Sequence, residues 1–537
     1  MSKQNKYATT EKIIFLIVIG LNLIPVFSGK FFPTMDGGSH LNNVTLIKEL
    51  LFNSNTILKD YFIFNPEPVP NWMGHFILLF FKLFLPSFLA EKALLLIYFI
   101  GFPLAFRALI KTISPENIIY SYLIFPFTYS SVFLLGFYNF SLAIIFFLLT
   151  LTYWIKQSNK PFTIKSYIFL FLLMIATYFS HIFMFALLLF SLGLHVLTTS
   201  FFEKIENNIS FKSFFSVIIK KGTTILICSF IPLVLFVFYV ISRPVLEVKN
   251  YIATEELIAW IKNIRPIIAY NPPLEEAFTT KIFYILSSLF IIAIYLKADN
   301  FFKSLHSPND SHKVWWKSII TAIDFWLLCF GLVLALYFIM PDSDNSGGFF
   351  SIRLGLVFFI ILILWISTQN ISKWFSILSV VIVLFMHFQL NIYYASVIKD
   401  LDKQAQDCYQ AAEFIEPNST VLSLNYSNHW LMGHFSNYLG ADKPMVILEN
   451  YEATKGYFPL LWNEEKYPNM LLAGKIFEET KCLWWKSSPQ NSIKNIDYVF
   501  VLGNSYGNED ACVQENVLLK FKKVYQGSGC ALFKANQ

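Results

Sequence analysis

The stretch that decides the fold is FFPTMDGGSHLNNVTLIKELL, residues 31–51. It directly follows an apolar run, Ile13 to Phe27, and it carries an aspartate, Asp36, before two glycines. The glycines permit a reversal of the backbone, and Ser39 is predicted to cap a helix over 39–52 whose apolar residues form one stripe. Such a helix is expected to lie in the membrane interface, with the aspartate at its start.

The composition fixes the class of protein. Hydrophobic residues make up 55% of the 537 residues and charged residues only 14%, whereas soluble domains are about half apolar and about a quarter charged. The chain is therefore predicted to be a polytopic α-helical membrane protein. The net charge of +6 is small for this length, and the basic residues fall mainly in short loops, so they are interpreted as topology signals and no nucleic-acid partner is expected.

Further apolar runs are compared with the ~20 residues that a spanning helix needs. The candidate spans are 71–85, 89–110, 118–134, 138–155, 166–180, 181–199, 223–241, 281–296, 318–340, 350–367 and 374–394. Lysine-rich loops are expected on the cytoplasmic side, and they lie at 156–165, 200–222 and 297–317. Together with the N-terminal lysines, they predict a cytoplasmic N-terminus and place Asp36 outside.

Two topologies fit these charges. In the preferred one, segment 71–85 is interfacial or re-entrant and the Ser180-His181 pair breaks a long apolar run into two helices. In the other, 71–85 is a true span and 166–199 is one long tilted helix. Both give about eleven crossings and place the C-terminal part outside.

The composition changes near residue 395, where polar residues, Pro and Gly return. We therefore expect a membrane domain over 1–394 and a soluble external α/β domain over 395–537, of about 140 residues. Predicted strands and a closing hairpin lie at 420–424, 445–449, 498–502 and 522–534. Four cysteines of this domain are candidates for one or two disulfides, and they are Cys408, Cys482, Cys512 and Cys530.

Asp36 and the DGGSH sequence around it resemble the D-G-x-x-H start of bacterial GT-C glycosyltransferases, multi-pass enzymes that take a sugar from a polyprenyl-phosphate carrier. The layout of the whole chain is also similar, with an acidic residue in the first external loop, juxtamembrane helices and an external soluble domain. The resemblance implies a GT-C-like fold in a bacterial inner membrane, with a polyprenyl-phosphate-linked sugar as donor and an external glycan, lipid or protein as acceptor. It implies that Asp36 is the general base.

The resemblance leaves metal dependence open, because Asp36 is not part of an acidic pair. A divalent metal, Mg²⁺ or Mn²⁺, is therefore an optional cofactor. No residue is assigned as a metal ligand: His429 and His434 are five apart, off the i, i+4 spacing that places two ligands on one helical face.

Other polar residues are candidates for substrate contacts. Arg353 follows the Gly347-Gly348 turn in a loop predicted to be external, where it could bind the leaving phosphate or simply anchor a helix at the interface. The remaining candidates for phosphate or sugar binding, each with packing, turn formation or anchoring as the alternative, are His40, His181, Tyr138, Asn139, Glu67 and Arg265. The alternative function is a non-catalytic protein for assembly or export of envelope polysaccharide.

Overall fold

The structure is a computed structural model. It describes residues 3–207, 209–242, 249–305, 321–344, 347–463, 496–503 and 520–536. The chain forms two compact units. The first comprises Met1–Asn22, Tyr98–Phe133 and Phe140–Tyr393, and the second comprises Leu23–Ile97, Leu134–Asn139 and Tyr394–Gln537.

Helices dominate the described part of the chain. In chain order they are α1 (Lys3–Asn22), α2 (Gly37–Phe52), α3 (Leu58–Tyr61), α4 (Met73–Lys82), α5 (Ser87–Ile113), α6 (Ser131–Leu134), α7 (Tyr138–Gln157), α8 (Ile164–Ser180), α9 (Ile182–Glu206), α10 (Phe211–Ile241), α11 (Thr254–Lys262), α12 (Pro272–Leu305), α13 (Phe325–Ile339), α14 (Phe350–Ser367) and α15 (Lys373–Ala411). A run of 3₁₀ turns, Pro115–Tyr129, precedes α6.

Ten helical segments among the described residues are long and apolar enough to cross a membrane, which confirms the polytopic membrane class. Two apolar helices are shorter, α4 with 10 residues and α8 with 17. A helix of 10 residues rises only about 15 Å, half of the hydrocarbon core, so α4 fits the interfacial or re-entrant alternative. The segment 166–199 is divided at His181, whose backbone is extended (φ −162°, ψ 129°), and the single fused helix is therefore wrong.

The core of the first unit is built around α14. Nearly all of its side chains are buried, and it packs against α12, α13 and the Pro115–Tyr129 segment. A helix that is apolar on all faces is expected at such a position, because it has no polar face to present to water. Arg353 lies in the first turn of this helix.

Nine strands are present in the described residues. They are β1 (Phe62–Phe64), β2 (Lys249–Asn250), β3 (Ser343–Asp344), β4 (Thr420–Asn425), β5 (Val446–Ile447), β6 (Leu460–Trp462), β7 (Tyr498–Leu502), β8 (Phe521–Gln526) and β9 (Cys530–Ala535).

The second unit contains a five-stranded sheet in the order β5-β4-β7-β9-β8. The first three strands are parallel, and β9 and β8 are antiparallel additions. The predicted strands at 420–424 and 498–502 and the hairpin at 522–534 are confirmed. The strand predicted over 445–449 is reduced to its central residues, β5.

Part of the first loop belongs to this second unit as well. Strand β1 pairs antiparallel with β6, and the rings of Phe62 and Trp462 stack with centroids 4.4 Å apart. Helix α2 packs against the 3₁₀ turns at Phe435–Gly440. The first loop and the C-terminal region thus fold together, although more than 300 residues separate β1 from β6 in the sequence.

Helix α15 runs unbroken through the predicted boundary at 394/395, and the division into a membrane domain and an external domain stays a prediction. Cys408 and Cys530 are buried free thiols. Cys482 and Cys512, the other two candidates for disulfides, lie outside the described residues.

Candidate active site

Asp36 lies at the start of α2, at its N-cap position, with a side chain that is only 2% exposed. Its backbone carbonyl accepts a hydrogen bond from His40 N at 3.0 Å, while its carboxylate makes no capping hydrogen bond. The prediction that Ser39 caps this helix is wrong, because the helix begins at Gly37 and Ser39 is already in its buried first turn. The carboxylate is thus held at a helix start without being used to cap it.

A tight turn, Leu134 to Asn139, is packed directly against Asp36. Gly136 adopts φ +90°, and a Cβ atom on it would meet the Asp36 Cβ at 2.6 Å and the Asp36 backbone nitrogen at 2.9 Å. The turn is fixed by a hydrogen bond from Met35 N to Leu134 O at 3.0 Å. Only glycine permits both this backbone conformation and this close approach, so the turn positions the carboxylate from one side.

His40 lies one turn beyond Asp36 and faces the same turn. Its Nε2 donates to the Gly136 carbonyl over 2.7 Å, and its Nδ1 lies 2.8 Å from the Glu452 carboxylate. His75 Nε2 donates to the same carboxylate over 3.1 Å. Burial is the largest single effect and disfavours the charged imidazole, but Glu452, Asp36 and the Gly136 carbonyl together outweigh it and raise the pKa of His40 to about 9.

Glu452 is fully buried between these two histidines, and Asn43 Nδ2 also donates to it over 2.6 Å. Burial alone would favour the neutral acid, but His40 and His75 outweigh it and hold the pKa of Glu452 below its ordinary value. The group is therefore a carboxylate at neutral pH.

A second acid–histidine pair approaches Asp36 from the C-terminal region. His434 Nε2 lies 3.7 Å from Asp36 Oδ1, its Nδ1 hydrogen-bonds Glu449, and its ring stacks on Tyr451 with centroids 4.2 Å apart. Burial is the largest single effect and lowers the pKa of His434, but the carboxylates of Glu449, Asp36 and Glu452 together raise it by more, so the net shift of this pKa is upward. The side chain of Tyr451 hydrogen-bonds Asp36.

These neighbours set the proton affinity of the central carboxylate. Burial raises the pKa of Asp36 from 3.8 to about 6, in spite of the opposing attraction of His434 and His40. A carboxylate with this pKa is ionised at pH 7 and yet is a much stronger base than an ordinary aspartate. Such a value is suited to general base catalysis, because the best catalytic pKa lies near the working pH.

The structure brings several of the sequence-predicted site residues together in the second unit. The Tyr138 hydroxyl hydrogen-bonds Thr34 Oγ1 over 2.9 Å, two residues before Asp36. The amide of Asn139 accepts from Gly74 N at 2.6 Å and donates to Asn71 O at 2.8 Å, so it ties the Gly136 turn to the start of α4. Glu67 also belongs to this unit, where its side chain is exposed.

The other predicted site residues lie in the first unit. Arg353 and His181 are neighbours there, with Nη1 and Nε2 at 3.4 Å, and the guanidinium lies 5.9 Å from the centre of the Phe140 ring. Arg265 donates from Nη1 to Ile268 O over 2.7 Å, and its guanidinium lies 5.7 Å from the Trp260 ring. Their predicted role in substrate binding stays a prediction.

Sequence reasoning missed half of the Asp36 environment, namely His75, His434, Glu449, Tyr451 and Glu452. One signal was available for the last three. They lie at the end of the predicted strand 445–449 or just after it, and in α/β sheets ligand sites lie beyond the carboxyl ends of the strands. Two acidic residues flanking a tyrosine at that position therefore indicate a site.

No protein-family model and no curated protein matches the chain. Among solved structures, the crystal structure of ArnT from Cupriavidus metallidurans in the apo state is similar, with a TM-score of 0.52, 10% sequence identity and coverage of 98% of both chains. The crystal structure of ArnT from the same organism bound to undecaprenyl phosphate has a TM-score of 0.40 at 10% identity and the same coverage.

At 10% identity the likeness concerns the fold. It extends over almost the complete length of both chains, so it includes the membrane helices as well as the β-rich C-terminal region. ArnT is a GT-C 4-amino-4-deoxy-L-arabinose transferase. The chain therefore has an ArnT-like fold, that of a polytopic α-helical membrane protein with a β-rich C-terminal region.

Proposed function

We propose that the chain is a membrane glycosyltransferase that transfers a sugar from a polyprenyl-phosphate-linked donor to an external acceptor, with Asp36 as general base. The observation that carries the proposal is the Asp36 carboxylate itself: it is buried, it is not used as a helix cap, and burial raises its pKa to about 6. The ArnT-like fold and the D-G-x-x-H stretch support the same class of reaction.

In the proposed reaction the acceptor is a glycan, lipid or protein that offers a hydroxyl or amine. Asp36 takes the proton of this group while its oxygen or nitrogen forms a bond to the anomeric carbon. The bond between the anomeric carbon and the phosphate oxygen breaks, and polyprenyl phosphate leaves with the electron pair. A general base contributes about 100-fold to 10,000-fold to such a step.

The leaving phosphate gains negative charge, and cations near it stabilise the transition state. Arg353 is proposed for this role, with His181 as its neighbour. His434 and His40, whose pKa values are raised by Glu449 and Glu452, add positive charge beside Asp36. In this proposal the protein lies in a bacterial inner membrane with the C-terminal region on the external side, and Mg²⁺ or Mn²⁺ is an optional cofactor.

The test compares wild type with Asp36→Asn in membranes supplied with a panel of polyprenyl-phosphate sugars and a labelled acceptor fraction. Asparagine keeps the size of the side chain but cannot accept the proton, so we expect transfer to fall by about 100-fold to 10,000-fold. Asp400→Asn is the matched control, because Asp400 is an exposed carboxylate, 68% accessible and paired with Lys403. It should transfer sugar at the wild-type rate.

Full transfer by Asp36→Asn would show that another group is the base. If wild type transfers no sugar from any donor of the panel, the enzyme proposal fails and the non-catalytic role in polysaccharide assembly or export becomes the better interpretation. Size-exclusion elution identical to that of wild type confirms that each variant is folded.

A further inference from the structure

The three side chains of His40, His75 and Glu452 meet in the second unit from three separate segments: helix α2, helix α4 and the turn after β5. All three are buried, with exposures of 4%, 1% and 0%. Their potential ligand atoms all lie within 4.8 Å of one another. We propose that this cluster binds a divalent zinc ion that joins the three segments.

The ligand atoms are near enough to one another to share such an ion. Zn²⁺ with bonds of about 2.0–2.1 Å in a tetrahedral arrangement places its ligand atoms about 3.3 Å apart. In the structure His40 Nδ1 lies 2.8 Å from Glu452 Oε1, and His75 Nε2 lies 3.1 Å from Glu452 Oε2. These contacts are somewhat shorter than the ligand spacing around zinc, and all the ligand atoms lie within 4.8 Å of one another, so rearrangement of the three side chains would admit the metal.

The orientation of the groups is the second observation. His40 Nδ1 and Glu452 Oε1 are both buried and face each other at 2.8 Å. His75 Nε2 faces the other oxygen of the same carboxylate. A cation held between these atoms would replace the direct ion pair.

The surroundings also hold the ligands in the form that a metal requires. His40 donates its other ring nitrogen, Nε2, to the carbonyl of Gly136, which leaves Nδ1 to face the cluster. Metal-binding histidines are commonly held in this way by a backbone carbonyl. Asn43 donates to the carboxylate of Glu452 and fixes its orientation.

The ligand types select the metal. Two imidazoles with one carboxylate form a frequent set of protein ligands for zinc, whereas Mg²⁺ and Mn²⁺ prefer oxygen ligands. Zn²⁺ with two neutral imidazoles and one carboxylate carries a net charge of +1, and its binding releases the proton that His40 Nδ1 would otherwise hold. A water molecule completes the fourth position of the tetrahedron.

The proposed ion has a positioning role, because none of its ligands is the base. It fixes His40, which is one turn from Asp36 on the same helix, to α4 and to the turn that carries Glu452. The start of α2 is thereby tied at three points. This inference concerns metal binding and does not depend on the proposed glycosyltransferase activity.

The test measures the metal content of the full chain purified in detergent, after incubation with ZnCl₂ and extensive dialysis against metal-free buffer. Wild type should hold one zinc ion per chain by elemental mass spectrometry. His75→Ala and Glu452→Gln should each lose at least nine-tenths of it. His429→Ala is the matched control, because His429 is half-buried in the same unit and its ring nitrogen Nδ1 accepts from Leu431 N, away from the cluster.

Cobalt provides a second readout. Replacement of zinc by Co²⁺ should give the visible absorption of a four-coordinate ion in wild type and in His429→Ala, and not in His75→Ala. If Glu452→Gln aggregates, His75→Gln gives the decisive comparison, because it keeps a polar side chain of similar size.

Two results would overturn the proposal: a wild-type chain that retains no zinc after dialysis, or a His75→Ala chain that retains as much as wild type. In the first case the cluster is a buried ion pair of His40 and Glu452. Neither result bears on the sugar-transfer assay, so the two proposals fail separately.

Discussion

At the scale of single residues, the chemistry of the candidate site depends on how Asp36 is surrounded. The carboxylate is desolvated on all sides, which favours its protonated form, while His434 and His40 favour the charged form. Desolvation is the larger effect, so the net shift is upward. An aspartate at an exposed loop would not have this property, and it is the fold of the second unit that provides it.

The raised pKa of Asp36 predicts the pH dependence of sugar transfer. The base is the deprotonated carboxylate, so transfer should rise with pH as Asp36 loses its proton and should fall as pH drops through about 6. The rate should be measured as kcat/KM from pH 4.5 to 8 in the presence of a chelator, because a bound cation near Asp36 would lower its pKa.

Asp36→Glu serves as the comparison, because it keeps the titrating group and moves it. The acid limb of this variant should persist at a changed midpoint, while its maximum rate falls. A wild-type rate that stays nearly constant down to pH 4.5, as an aspartate with the ordinary pKa of 3.8 would give, would contradict the assignment of the base.

At the scale of secondary-structure elements, the site depends on contacts that periodicity does not reveal. The sequence predicted the helix that follows Asp36, the strands β4 and β7, and the β8–β9 hairpin, because each has a local pattern. The pairing of β1 with β6 has no such pattern, since each strand is only three residues long. The contact between the Gly136 turn and Asp36 has no local pattern either, because it joins two backbone segments that are distant in the sequence.

The incorrect prediction that Ser39 caps helix α2 has a similar cause. Ser39 has the side chain of a good N-cap residue, and sequence reasoning placed the cap there. The structure starts the helix two residues earlier, because the Gly37-Gly38 pair is helical and packs closely: a Cβ on Gly38 would lie 3.2 Å from the His434 carbonyl. Tertiary packing here overrides the local preference.

The β1–β6 pairing can be tested by one substitution. Asn65 N donates to Pro459 O and Asn463 N donates to Tyr61 O, so the alternation of an antiparallel ladder places Ile63 at a hydrogen-bonded position. Ile63→Pro removes its N–H, and the loss of one hydrogen bond costs about 0.5 to 1.5 kcal/mol. We expect a lower midpoint of thermal unfolding and faster proteolysis.

Ile63→Ala is the matched control, because the side chain of Ile63 is 42% exposed and alanine retains the N–H. Its midpoint should lie near that of wild type. Equal midpoints for the proline and alanine variants would mean that this ladder contributes nothing to stability.

At the scale of the whole molecule, the sequence predicted the polytopic membrane class and most of the long apolar helices, because hydropathy is a strong signal in membrane proteins. It did not predict the two compact units. The second unit collects Leu23–Ile97, Leu134–Asn139 and Tyr394–Gln537, three segments that no local property connects. This is why Asp36 was recognised and its partners from residues 434–452 were not.

The helices and the lysine-rich loops together make a prediction about topology. If the ten long helices and α8 cross the membrane and α4 does not, there are eleven crossings. Successive loops then alternate between the two sides of the membrane. Starting from a cytoplasmic N-terminus, this alternation places the loops at 156–165, 200–222 and 297–317 inside, as their charge requires. It places Asp36 and the C-terminal end outside.

Reporter fusions test this alternation directly. An alkaline phosphatase, which is active only where its disulfides form, is fused after Asn159 in one series and after Gln537 in another. We expect activity from the fusion at 537 and none from the fusion at 159, and the reverse for a fluorescent protein that matures only in the cytoplasm. Because eleven is odd, the two ends of the chain must lie on opposite sides. Phosphatase activity at 159 would require one more or one fewer crossing before this loop, or an inverted N-terminus, and the inverted N-terminus would place Asp36 inside. Its absence at 537, with none at 159, would require an even number of crossings between the two fusion points.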